Sequence, residues 1–360
     1  MKHSYLLSVI TFGKLFSMVV RNKGVSPAFF GRFLFLLQGS IWASIFKRVE
    51  LLKFNRKKFP KHYDCGPVFI IGHWRTGSTF LHQLMSLDPQ FVTPSVVQVS
   101  VPDSFLVSEN YFRKIMSKVI GEKRPMDNVK LGPDEPQEDE YAIVKLVKGT
   151  ALEKIFFRRN NNDFLADLKV SMENERLSEN WEKSFSHFVS KLVYKNNGIA
   201  LFKNPFHSYR VRHLKALFPN AKFIHIHRNP LEVIPSTIRM WNIVGSQNLL
   251  AGKWTDISYQ SAIDMFNSLW GSIKLQTKDL DSESYCKVRF DELEADTVGV
   301  LKKLYSNLNL SFSDEFEKNV REFLLSVKTY EKNKYVLEQD KVDLIREGCN
   351  KFMNSYNYEV

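Results

Sequence analysis

Short, unbroken apolar runs set the rhythm of the chain from residue 67 onward. Residues 67–72 (PVFIIG), 199–203 (IALFK), 222–227 (KFIHIH) and 285–290 (YCKVRF) are five or six residues long. Runs of that length with little polar alternation predict strands buried on both faces. Each is followed by a stretch of helical spacing, at 79–87, 207–217, 231–241 and 291–308. Strand and helix in alternation predict an α/β fold: a parallel sheet flanked by helices. A last amphipathic helical pattern covers 337–355.

Two departures interrupt this rhythm. Residues 108–190 are polar and mostly helical in pattern, and predict a helical insertion over the ligand edge of the sheet. Residues 4–20 and 33–46 are the most apolar stretches; Gly13 and Lys14 interrupt the first, no small-residue cleavage site follows it, and the second is too short to span a bilayer. The segment 47–61 carries seven basic residues and one acidic. Apolar helices flanked by basic clusters suit an anionic membrane surface; the alternative is that they pack on the domain with solvated lysines. The chain is therefore divided into an N-terminal apolar and basic segment, 1–62, and a domain, 63–360.

Composition narrows the classes. Hydrophobic content of 44% and charged content of 25% over 360 residues exclude a disordered chain and a multi-pass membrane protein. The net charge of +12 points to an anionic partner. Three widely spaced cysteines, Cys65, Cys286 and Cys349, predict neither a disulfide framework nor a zinc site, and suit a reducing, cytoplasmic compartment, with the inner membrane face as its edge.

Gly72 to Thr79 (GHWRTGST) joins a predicted strand to a predicted helix. Such a turn aims backbone N–H groups at one point with the helix dipole behind them, an anion site. The spacing is GxxxxG, but Ser78 stands where a nucleotide-triphosphate loop has lysine. Arg75 offers a cation instead, and no run ending in Asp supplies a magnesium partner. The turn therefore suits a nucleotide with a short 5′ anionic group and no metal.

This strand and turn resemble the 5′-phosphosulfate loop of the sulfotransferases that use 3′-phosphoadenosine 5′-phosphosulfate (PAPS). The usual GxPRSGTT becomes a version with His73 and Trp74 before the arginine, Thr76 for Ser and Ser78 for Thr. The family's second motif, RxPxxxxxS after a strand, matches Arg228, Pro230 and Ser236. Similarity extends through LFKNPFH (201–207), VRFDELEAD (288–296) and YEKNKY (330–335), and covers roughly 65–336. It is closest to the bacterial branch acting on lipid-type or sterol-type alcohols.

The resemblance implies a P-loop-like fold and transfer of a sulfuryl group from PAPS to a hydroxyl, leaving adenosine 3′,5′-bisphosphate. Arg75, Thr76, Gly77, Ser78, Thr79 and Phe80 would hold the 5′-phosphate. Arg228 and Ser236 would hold the 3′-phosphate; Lys332 and Lys334 either close over it or lie in a solvated loop. Lys203 matches a lysine that approaches the bridging oxygen; otherwise it is a surface lysine at a strand end. The acidic run PQEDE resembles this branch's acidic motif and makes Glu138 or Glu140 the general base, with Asp139 in support; the alternative is a solvated or helix-capping run. His207 is the runner-up base. His73, in the loop, is a candidate contact to the acceptor or the donor. His225 and His227 read as core histidines. No cluster has metal-ligand spacing. The greasy composition points to a hydrophobic acceptor, sterol-like first, then a polyprenyl or quinone-type alcohol, then a glycan or glycolipid. A kinase-like phosphotransferase would need the missing lysine. A nucleic-acid module would interleave its basic residues with exposed aromatics, so no nucleic-acid partner is expected.

Overall fold

A computed structural model describes residues 6–54, 59, 66–121, 130–160, 162–328 and 335–359. Seven strands occur among them: β1 (Val68–Ile71), β2 (Phe91–Val92), β3 (Phe157–Arg158), β4 (Ile199–Lys203), β5 (Lys222–His227), β6 (Ala251–Gly252) and β7 (Tyr285–Arg289). Five form a parallel sheet in the order β2-β4-β1-β5-β7. The four strands expected from apolar runs are all in it. The edge strand β2 is only two residues long and leaves no such run. β3 and β6 pair separately.

The chain divides into two compact units. One takes residues 63–93, 198–240 and 257–360 and contains the sheet; the other takes 1–62, 94–197 and 241–256. The helical insertion expected at 108–190 falls in the second, grouped with the N-terminal helices α1 (Phe12–Arg21) and α2 (Phe30–Lys53).

Alternation along the strands sorts the sheet's residues onto two faces. Val68, Ile70, Leu201, Ile224, Ile226 and Val288 join one apolar cluster with the helices α3 (Ser78–Met85), Thr297–Asn307 and Asp314–Ser326. On the other face Phe69 stands in register with Phe202 and Phe223, its ring stacked on theirs at 5.5 and 5.4 Å. This ladder ties three adjacent strands side by side, each pair adding roughly 0.5–1.5 kcal/mol beyond area burial.

The helix expected over 291–308 is two, Phe290–Ala295 and Thr297–Asn307. Asp296 breaks it: its carboxylate accepts from Gly299 N at 2.9 Å and caps the second helix. The helix expected at 207–217 opens as a 3-10 turn, Pro205–Tyr209, with Asn204 accepting from Phe206 N.

His225 and His227 extend the aromatic face. Both are buried; His225 Nδ1 lies 3.2 Å from Tyr285 OH, and His227 Nδ1 lies 2.9 Å from Tyr358 OH. Burial, with neighbouring positive charge behind it, holds His225 well below the usual imidazole range and His227 at about 3. His82, also buried, sits at about 3 for the same first reason. Below about pH 6.5 the unfolded chain takes up protons that these rings refuse, so their contribution is present above that pH and lost as it falls. From about pH 7.5 to about pH 5.5 each should cost on the order of 1 kcal/mol. Urea unfolding at the two pH values should show a clearly lower midpoint in the acid, and His225→Asn should weaken that dependence.

Candidate active site

The site is built where β1 turns into α3. Gly72 ends the strand at φ +140, and a Cβ there would stand 2.4 Å from the Ile226 carbonyl oxygen of β5. No side chain fits that approach. The turn is then pinned from three directions. Thr76 Oγ1 donates to His73 O at 2.8 Å, Ser208 Oγ accepts from Gly72 N at 3.1 Å, and Thr237 Oγ1 donates to Trp74 O at 3.5 Å. Arg75 is held at φ +70, a left-handed conformation costing a non-glycine residue roughly 1–2 kcal/mol.

Gly77 caps α3 at φ +89, and a Cβ on it would lie 2.0 Å from the Phe290 ring. Having no side chain, it leaves the first amides of the helix unshielded. Leu81 N is the amide that bonds back to Gly77 O, at 3.1 Å, so those of Ser78, Thr79 and Phe80 point out of the helix end. Three amides, two hydroxyls and a guanidinium around one helix terminus can hold a divalent anion.

The second motif meets the first. Arg75 donates from Nε to Ser236 Oγ at 2.9 Å, and Tyr335 OH lies 3.3 Å from the same oxygen. Ser236 sits on the helix Pro230–Asn248, which Asn229 starts by accepting from Leu231 N. Arg228, just before that helix, pairs with Glu232 and lays its guanidinium 4.4 Å over the Phe290 ring. One ring therefore touches both Gly77 and Arg228, and the two turns meet there. Ser208, Thr237, Phe290 and Tyr335 were not among the expected site residues. Only Phe290 and Tyr335 lie in stretches with a visible motif.

Lys203 ends β4 beside β1, paired in register with Ile70, and is buried. Its charge adds to burial in pushing down His82 on α3. His73 is buried, with Nδ1 2.9 Å from Trp74 O and its ring against Phe266. A carbonyl partner makes Nδ1 the donor and leaves Nε2 as a bare acceptor, consistent with desolvation pushing the ring down to about 4. His207 is fully buried with its edge against Phe69, 5.3 Å between centroids, and Arg210 beside it.

The acidic turn belongs to the other unit. Backbone bonds hold it to 94–97: Val96 N to Glu135 O at 3.0 Å, Val97 N to Pro133 O at 2.9 Å, Gln137 N to Pro94 O at 2.9 Å. Glu138 is half-buried, whereas Asp139 and Glu140 are fully buried. Asp139 occupies the cap position of the helix Glu140–Leu146 without capping it through its side chain. These carboxylates are not a solvated run. Lys332 and Lys334 lie outside the described residues. Among the described residues no group of three His, Cys, Asp or Glu is arranged for a metal ion.

A parallel sheet whose central strand feeds a glycine turn and a helix terminus, with arginines from the turns after two strands beside it, is a P-loop-like fold suited to binding anionic groups. The chain belongs to the sulfotransferase family, whose pattern matches residues 67–314. It is 29% identical over 297 residues, 81% of this chain and 75% of that protein, to the omega-hydroxy-beta-dihydromenaquinone-9 sulfotransferase Stf3 of Mycobacterium bovis. The Mycobacterium tuberculosis protein of the same name matches to the same extent. Among solved structures, sulfotransferase STF9 from Mycobacterium avium matches the fold with a TM-score of 0.70 and 17% identity, covering 98% of each chain. Sulfotransferase STF1 from Mycobacterium tuberculosis gives 0.64 and 16%, over 93% of this chain and 90% of that one.

Gly77→Ala should destabilise the fold by about 1–3 kcal/mol, from the left-handed backbone and the displaced ring. Combined with Phe290→Ala, the loss should be smaller than the sum of the two single losses, because the clash is gone. Thermal melting of the three variants measures this.

Proposed function

We propose that this enzyme transfers a sulfuryl group from PAPS to the hydroxyl of a hydrophobic lipid alcohol. The observation that carries it is the Arg75–Ser236 hydrogen bond of 2.9 Å, which joins the two anion-binding motifs through their own side chains. A donor with phosphate at both its 5′ and 3′ ends needs two such sites in one crevice.

Arg75, Thr76 and the amides and hydroxyls of residues 77–80 hold the 5′-phosphosulfate. Arg228 and Ser236 hold the 3′-phosphate. Lys203, beside the turn, neutralises the charge that develops on the leaving phosphate. A carboxylate, Glu138 or Glu140, takes the acceptor's proton as its oxygen bonds to sulfur. The bond from sulfur to the bridging oxygen breaks with its electron pair, and adenosine 3′,5′-bisphosphate leaves. Positioning and fixed charge do most of this work, as in phosphoryl transfer. Burial of Asp139 and Glu140 favours a working role over a solvated one, and Asp139 supports the base. His207 is the second choice of base; its packing against Phe69 and Arg210 argues for a core role. His73, with its acceptor nitrogen desolvated, is suited to receive a hydrogen bond from the incoming hydroxyl.

For the acceptor, the relative named for an ω-hydroxylated dihydromenaquinone moves a polyprenyl quinone-type alcohol ahead of a sterol, with a glycan last.

Arg75→Ala and Arg228→Ala should each weaken adenosine 3′,5′-bisphosphate binding about 10- to 100-fold by calorimetry, the loss expected for a charge-assisted bond. ATP with magnesium should bind far more weakly; equal affinity would point to a phosphotransferase. Glu138→Gln or Glu140→Gln should keep nucleotide affinity and cut turnover about 10²–10⁴-fold for whichever is the base. Near-normal turnover in both would shift the role to His207. Labelled-donor reactions with quinols, sterols and sugars test the acceptor: sulfate on soluble sugars alone would exclude the lipid.

A further inference from the structure

The helix α2 is apolar on two sides. One side packs inward through Leu36, Ala43 and Glu50. Phe30, Leu34, Ile41, Trp42, Ile45 and Leu52 are all exposed. At 3.6 residues per turn these six fall within an arc of about 120°, opposite the buried side. α1 repeats the pattern, burying Leu15 and Met18 while exposing Phe12, Phe16 and Val20 one turn apart. Exposed apolar area on this scale, continuous along a helix, marks a surface that is covered in use.

Charge identifies what covers it. Residues 21–54 carry six basic side chains and one acidic, Glu50; Arg21 and Lys47 are paired with Glu153 and Asp103. The Glu50 carboxylate is buried, ion-paired with Lys191 and accepting from Leu106 N at 2.8 Å. The charge left at the rim of the apolar face is therefore positive, with Lys23, Arg48 and Lys53 exposed. A second copy of the same face would bring like charges together. An anionic lipid surface offers both an apolar interior and compensating charge.

The stretch Pro27–Lys53 is long and apolar enough to cross a membrane. Its inner side argues for lying flat instead. The Glu50–Lys191 pair and the bond from Arg32 to Leu249 O fasten it to its own unit along its length. Trp42, exposed within the apolar arc, is of the type that settles at the lipid–water boundary.

We infer that the outer face of α1 and α2 docks in-plane on an anionic bilayer. The test is co-sedimentation of the full chain with phosphatidylglycerol-containing vesicles against pure phosphatidylcholine vesicles. Binding should be at least about tenfold tighter to the anionic vesicles and should weaken in roughly 1 M salt, where charges are screened beyond about 3 Å. Trp42→Phe should still bind but lose part of the blue shift in tryptophan emission. Ile41→Asp combined with Ile45→Asp should bind at least about tenfold more weakly, with unchanged melting and nucleotide affinity. Equal binding to both vesicle types, or wild-type binding by the double variant, overturns the inference. So does a dimer in solution that the double variant dissociates, which would make a second copy the occupant. Because nucleotide affinity is read separately, failure of lipid docking leaves the donor site untouched, and the reverse.

Discussion

Arg75 reaches across 2.9 Å to Ser236, and that contact joins the two turns. A guanidinium from the turn after β1 meets a hydroxyl from the helix after β5, although 161 residues separate them in the chain. The contact requires Arg75 to accept a left-handed backbone, and that strain persists only because its neighbours are pinned. Thr76, Ser208 and Thr237 bind the turn's amides and carbonyls, while Phe290 fills the space a Cβ on Gly77 would occupy.

The sheet supplies the alignment. Parallel strands end together, so Lys203 on β4, Gly72 after β1 and Arg228 after β5 emerge at one edge. The stacked rings of Phe202, Phe69 and Phe223 keep those three strands in register, since a slip of one residue would turn every ring to the opposite face. Loop chemistry is thus set by packing a few residues below it.

The other unit carries a different balance. It buries Asp139 and Glu140 at the head of a helix while exposing phenylalanine, leucine and isoleucine along α2. Burying carboxylates and exposing apolar rings are both unfavourable in water, so each is informative. The first sets these carboxylates apart from a solvated run. The second suits a surface that meets lipid.

The sequence by itself determined the four long strands, the glycine turn and the identity of the cations beside it. Apolar runs and GxxxxG spacing are local, and local chemistry decides them. It also marked Arg228 and Ser236, because their motif lies on one strand–helix junction. The second strand, Phe91–Val92, stayed hidden because two residues carry no period. The division of 291–308 turned on Asp296, whose capping role appears only once its carboxylate meets Gly299. Tertiary structure alone decided that Phe290 would wall both motifs, that Ser208 and Thr237 would clamp the turn, and that an acidic run would be buried rather than solvated. Each of those outcomes depends on residues far apart in the chain coming within a few ångströms, and sequence spacing holds no record of that distance.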